Sequence, residues 1–186
     1  MPVEECRWAL ERGGLQPVAE QDGDITQVDK IIAWFGSNIR VGVGWVRQLG
    51  TNAAGTSYGV SADRLGNVYI TGYSCGPLGE PNPGSGMDPF LSKYDAWGNF
   101  LWTRKPHTDA YWKMGRGVSA DGLGNVYVSG NTNRSFSGAS AGDWDFFVSK
   151  YDSQGNVVWS SQFGSDKSDF GCGVSTDCLG NVYPSG

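Results

Sequence analysis

The chain has 186 residues and a formal net charge of −5, with 39% hydrophobic and 13% aromatic side chains. That much apolar surface can build a packed core, so a disordered chain is not expected, and the acidic balance disfavours nucleic acid or an anionic membrane as partner, since both ask for a basic face. The 29 glycines stand far above ordinary usage and, as suppliers of positive φ in tight turns, point to an all-β chain rich in hairpins.

Residues 1–38 form a non-repeat N-terminal segment. Residues 4–12 predict a short helix stopped by Gly13 and Gly14, too short to stand without docking. Asp22, Asp24 and Asp29 invite a calcium reading, but the stretch lacks the alternating oxygen ligands around a central glycine that an EF-hand loop needs, and it reads as a solvated acidic loop. The start, Met1-Pro2-Val3-Glu4-Glu5, has neither the basic nor the apolar region of a signal peptide, and no apolar run reaches the roughly 18 residues of a membrane-spanning helix.

From residue 39 a repeat takes over. The pattern Gly-Val-Ser-x-Asp-x-Leu-Gly-Asn-Val-Tyr-x-Ser/Thr-Gly begins at Gly59, Gly117 and Gly173, so successive copies are 58 and 56 residues apart. Trp45, Trp102 and Trp159 recur every 57 residues, and so does Asp-x-Phe-x-Ser-Lys-Tyr-Asp, which begins at Asp88 and Asp145. Several motifs sharing one long spacing mark a propeller-type repeat. We expect β-propeller blades of four antiparallel strands, two full and two partial: 39–58 ends one blade, 59–116 and 117–172 are blades, and 173–186 begins a truncated one. In the first full unit the strands are expected at 59–63, 67–73, 89–95 and 99–105. Val68 and Ile70 alternate with Tyr69 and Thr71, and Phe90 and Tyr94 with Leu91 and Lys93, so both faces are bulky and each sheet must be sandwiched between neighbours.

Two connections in each unit are short and alike: 63–67 and 95–99, matched by 121–125 and 152–156. In each, an aspartate can accept from a backbone N–H two residues on, while the glycine takes the left-handed position of a bulged turn. Asp63, Asp95, Asp121, Asp152 and Asp177 are thus read as folding residues, and carboxylates on separate hairpins are not expected to converge on a metal. The other two sets of connections, 74–87 and 131–144, and 51–58, 106–116 and 165–172, are long, differ between copies and should emerge together at one face. The candidate binding residues Tyr111, Trp112, Arg134, Phe136 and Trp144 lie there, because copy-specific aromatics and arginine suit recognition. Trp45, Trp102 and Trp159 share one repeat position and read as core between blades rather than a sugar-stacking row.

Catalysis finds little support. His107 is the only histidine and sits in a loop with no nucleophile motif beside it, and the glycines at 83–86 lack the helix that follows a phosphate-binding loop. No cofactor or metal is expected. Cys172 and Cys178 flank a strand and are too far apart for a disulfide, and Cys6 and Cys75 have no evident partners.

The paired motifs Asp-x-x-Gly-Asn-Val-Tyr and Asp-x-Phe-x-Ser-Lys-Tyr-Asp-x-x-Gly-Asn, followed by Trp, resemble the bacterial SBBP-type β-propeller repeat over about residues 39–186. The Gly-Val-x-x-Asp and Gly-Asn-Val-Tyr elements also resemble NHL-type propeller repeats more loosely. The resemblance implies an exported or cell-surface protein whose role is usually unassigned, here a non-catalytic module offering its loop face to a protein or glycan. The alternatives are a structural repeat segment of a surface protein and a piece of a propeller enzyme whose catalytic residues lie outside this chain. Two departures stand out: Pro184 replaces the Ile70 and Val128 of the other copies, and the repeat count cannot close a ring, which further blades of a longer chain or a second copy would have to do.

Overall fold

The computed structural model describes residues 44–79, 86–105, 112–177 and 179–186. Its contacts divide the chain into Met1–Val46 and Arg47–Gly186. Of the first unit only residues 44–46 are described, with Trp45 half-buried. The expected helix at 4–12, the acidic loop, Cys6, His107, Tyr111 and Cys178 all lie outside the described residues.

The second unit is all-β. Strands β1 (Gly55–Ala62), β2 (Val68–Ser74), β3 (Asp88–Tyr94) and β4 (Phe100–Arg104) form one antiparallel sheet in sequence order. Strands β5 (Lys113–Ala120), β6 (Val126–Thr132), β7 (Asp145–Tyr151) and β8 (Val157–Phe163) repeat it, and β9 (Gly173–Thr176) with β10 (Val182–Ser185) forms a two-stranded sheet. These are incomplete propeller blades, and they do not close on one another. Every residue of β3 and β6 is buried, as the bulky alternation on both faces requires of a sandwiched sheet. Tyr69, Leu91, Val118, Val126, Val128, Phe147 and Tyr151 make one core that runs from the first blade into the second.

The first strands begin earlier than the alternation predicts, at Gly55 and Lys113 rather than 59 and 117. The register explains why. Ser57 opposes Gly72 and Gly59 opposes Thr71, leaving Tyr58 as an extra residue, and Arg116 is left over in the same way in β5. A bulge shifts the pattern by one residue, so the segment before it reads as loop. The long connections expected at 51–58 and 106–116 are therefore shorter than predicted. Further bulges at Leu101 and Val158 recur at one repeat position in β4 and β8.

Opposite the first bulge stands the closing glycine of the repeated pattern. A Cβ on Gly72 would run into the Thr56 carbonyl oxygen, and one on Gly130 into that of Met114. Only glycine lets the bulged strand approach this closely. Pro184 is accommodated in β10, where it opposes Val174 and is exposed.

Trp102 and Trp159 lie on the outermost strands, each tilted against the tyrosine of the second strand, Tyr69 and Tyr127. The lysine of Ser-Lys-Tyr covers the same rings: Lys93 and Lys150 each hold their ammonium 5.3 Å from the ring centroid. Trp102 is half-buried against the core, as expected for a residue between blades, but Trp159 is exposed. Arg104 links the blades by donating to the Gln154 carbonyl, and Arg47, at the same repeat position, donates to that of Gly98 in the equivalent turn of the first blade.

Candidate binding surface

The blade edges present two faces of opposite character. On one side every short turn is closed from within. Asp121 Oδ1 accepts from the N–H of Leu123 and Asn125, and Oδ2 accepts from the Asn125 side-chain amide at 2.7 Å. The same set recurs at Asp63, Asp95, Asp152 and Asp177. Gly66, Gly98, Gly124, Gly155 and Gly180 all have φ between 77° and 85°, the left-handed conformation the sequence anticipates. Two partners were not legible: the asparagine amide, and the tyrosine hydroxyls of Tyr69, Tyr127 and Tyr183, which reach back to Asp63, Asp121 and Asp177.

These bonds set the acidity of the turns. Burial pushes the Asp121 carboxyl up, but donation from Asn125 and Leu123 outweighs it and holds the group below the ordinary aspartate value. Donation by Asn156 and Asn181 depresses Asp152 and Asp177 likewise. Burial, then the Asp63 carboxylate, pushes the Tyr69 phenol well above its ordinary value, so it stays a donor. Asp63, Asp121 and Asp177 line one shallow cleft with Ala62, Ala120 and Thr176, closer together than separate hairpins suggest. Each carboxylate is nevertheless committed to its own turn, and among the described residues no three His, Cys, Asp or Glu side chains are grouped to hold a metal.

The opposite face is irregular and differs between blades. Trp112 leads into β5 and is partly exposed, its backbone paired with Met87 and exchanging hydrogen bonds with Asn133. Arg134 is the next residue along and is exposed. Its carbonyl accepts from Gln162 Nε2, while Gln162 Oε1 accepts from the Phe136 N–H at 2.7 Å. Gln162 also donates to Asp145, the neighbour of Trp144. Gln162 thus ties the backbone at Arg134 and Phe136 to Asp145, whereas Trp112 bonds to Asn133 and Trp144 only adjoins Asp145 in the chain. Phe136 is spent on packing: its ring stacks on Phe147 at 4.2 Å and 22°. Trp144 is half-buried and tilts onto the half-exposed Phe170.

Gln162 and Asp145 were missed as organisers of this face. The available signal is the repeat itself. Gln162 occupies the position of Lys105, whose buried ammonium donates to the Ser74 and Gly76 carbonyls, and Asp145 that of Asp88, which pairs with buried Lys113 at 2.9 Å. The aspartate is common to both blades, while its partner changes from Lys113 in the first to Gln162 in the second. Around Asp145, burial raises the carboxyl, but the N–H groups of Ala141 and Gly142, Gln162 and Ser140 hold it below its ordinary value. Asp88 keeps one carboxylate oxygen buried without a hydrogen-bond partner.

A protein with this fold and these self-closed turns is a β-propeller repeat protein. The beta-propeller repeat family SBBP matches residues 44–79 and 113–137, and the chain is an SBBP-type repeat protein. No curated protein matches the chain. Among solved structures, it is similar to a protein of unknown function from Bacteroides caccae with a TM-score of 0.42 and 11% identity, over 70% of this chain and 38% of that one. The chain thus spans well under half the length of that neighbour.

Proposed function

We propose that the chain is a non-catalytic binding scaffold of an exported or cell-surface bacterial protein, and that its irregular face takes a protein or glycan ligand. The observation that carries this reading is the contrast between faces. The turn face spends its carboxylates, amides and tyrosine hydroxyls internally, in the same way at each turn. The opposite face exposes Arg134 and parts of Trp112, Phe163 and Phe170, none of which recurs in the neighbouring blade. Exposed aromatics and arginine on an ordered frame favour recognition. In a screen against glycan and protein arrays, Trp112→Ala and Arg134→Ala should each weaken the captured ligand at least tenfold, about 1.4 kcal/mol, with an unchanged melting temperature. A ligand bound equally well by both variants contradicts the assignment of this face.

A further inference from the structure

We infer that the bulges of the first strands build a binding site for an acidic carbohydrate, in which Arg116 takes the carboxylate. Tyr58, Arg116 and Cys172 each directly precede the first glycine of the repeated pattern. In β1 and β5 that residue is the extra one of the bulge, and a bulge re-aims the side chain it adds. The repeat keeps the position and changes what it presents, from a phenol to a guanidinium to a thiol. Strand β5 packs between β1 and β9, so Arg116 has a strand of the adjoining sheet on each side. The backbone beneath it is fixed. A Cβ on Gly115 would run into the Thr71 hydroxyl, and one on Gly117 would lie 2.9 Å from the backbone nitrogen of Val174, so each flanking glycine is pressed against a neighbouring sheet.

Two of the bulge residues meet. The Arg116 guanidinium lies 4.5 Å from the centroid of the Tyr58 ring, and the Tyr58 and Tyr73 rings pack with centroids 6.1 Å apart. Arg116 is half-buried, yet among the described residues its N–H donors meet no carboxylate, carbonyl or hydroxyl, and the Tyr58 ring is its one interaction. An arginine withdrawn from water is ordinarily paired, as Arg104 is with the Gln154 carbonyl. A ring stack holds the guanidinium plane while leaving its N–H edge free, and that edge matches a planar carboxylate with two parallel bonds. The Tyr58 hydroxyl likewise makes no hydrogen bond among the described residues, and that of Tyr73 is met by Thr56 Oγ1 at 3.5 Å. Phenols and ring faces beside a guanidinium suit the hydroxyls and apolar face of a sugar ring that bears the carboxylate. Because the whole chain carries a net charge of −5, capture of an anion rests on this local geometry and not on a general field.

Isothermal titration of the full chain with a galacturonate trisaccharide tests this, with the neutral galactose trisaccharide as control. Wild type should bind the acidic sugar with a Kd of about 1 mM or tighter and the neutral one not measurably. Arg116→Ala should weaken binding by more than about tenfold, and Arg116→Lys, which keeps the charge and loses the fork, nearly as much. Both variants should keep the wild-type circular dichroism and melting temperature. The site shares no residue with the irregular face proposed above, so Trp112→Ala should leave this binding unchanged and the two assignments can fail separately. A wild-type chain that ignores the acidic sugar, binds the neutral one equally well, or takes a polyglutamate peptide in its place overturns the inference. Binding that survives Arg116→Ala, or that is lost with Trp112→Ala, overturns it as well.

Discussion

At the scale of single residues, the turn aspartates do more than the sequence suggests. Asp121 serves two backbone N–H groups, one asparagine amide and a tyrosine hydroxyl. Removing such an acceptor strands several donors at once, so Asp121→Ala should cost about 2–4 kcal/mol by chemical denaturation, and Asn125→Ala about 1 kcal/mol. The pH dependence follows in sign. Carboxyls held below their ordinary value contribute stability that is complete above the unfolded value near 4 and drains away as pH falls through the lower folded values. Denaturation midpoints should therefore be flat above about pH 5 and fall below about pH 4, and Asp121→Asn should flatten that fall. The Asp88–Lys113 pair behaves differently because both partners are buried. Lys113→Met leaves an uncompensated carboxylate and should cost about 3–5 kcal/mol, while the double substitution Asp88→Leu with Lys113→Met should recover much of it.

At the scale of strands, the informative glycines are those pressed by a bulge. Gly130→Ala drives a methyl group into the Met114 carbonyl oxygen and should cost at least about 2 kcal/mol, whereas Gly138→Ala, with nothing near its Cβ, should leave thermal unfolding unchanged. Much of this level was legible. The period-two alternation of Val68-Tyr69-Ile70-Thr71 and the Asp-x-x-Gly-Asn turns place β2, β3 and β4 within a residue at each end. The start of β1 was not legible, because Tyr58 as an extra residue breaks the alternation that reveals a strand. The exposure of Trp159 was likewise hidden: its repeat position is that of Trp102, and only the neighbouring sheet decides whether that position is covered.

At the scale of the molecule, one interface is used repeatedly, and the blades differ only where that repetition is relaxed. The sequence shows the repetition directly, since local motifs carry it. The Gln162 network was invisible because its members come from a loop and two strands, and spacing alone does not say that Phe136, Asp145 and Gln162 meet. Amide hydrogen exchange tests the central claim, that one face is internally closed and the other is left open. Amides of Leu123 and Asn125, which donate to Asp121, and of Gln154 and Asn156, which donate to Asp152, should be protected despite lying in exposed turns. Those of Gly138 and Ala139 on the opposite face, beyond the Ser137 amide that donates to Gln162, should exchange freely. Equal, rapid exchange at both faces would contradict the account.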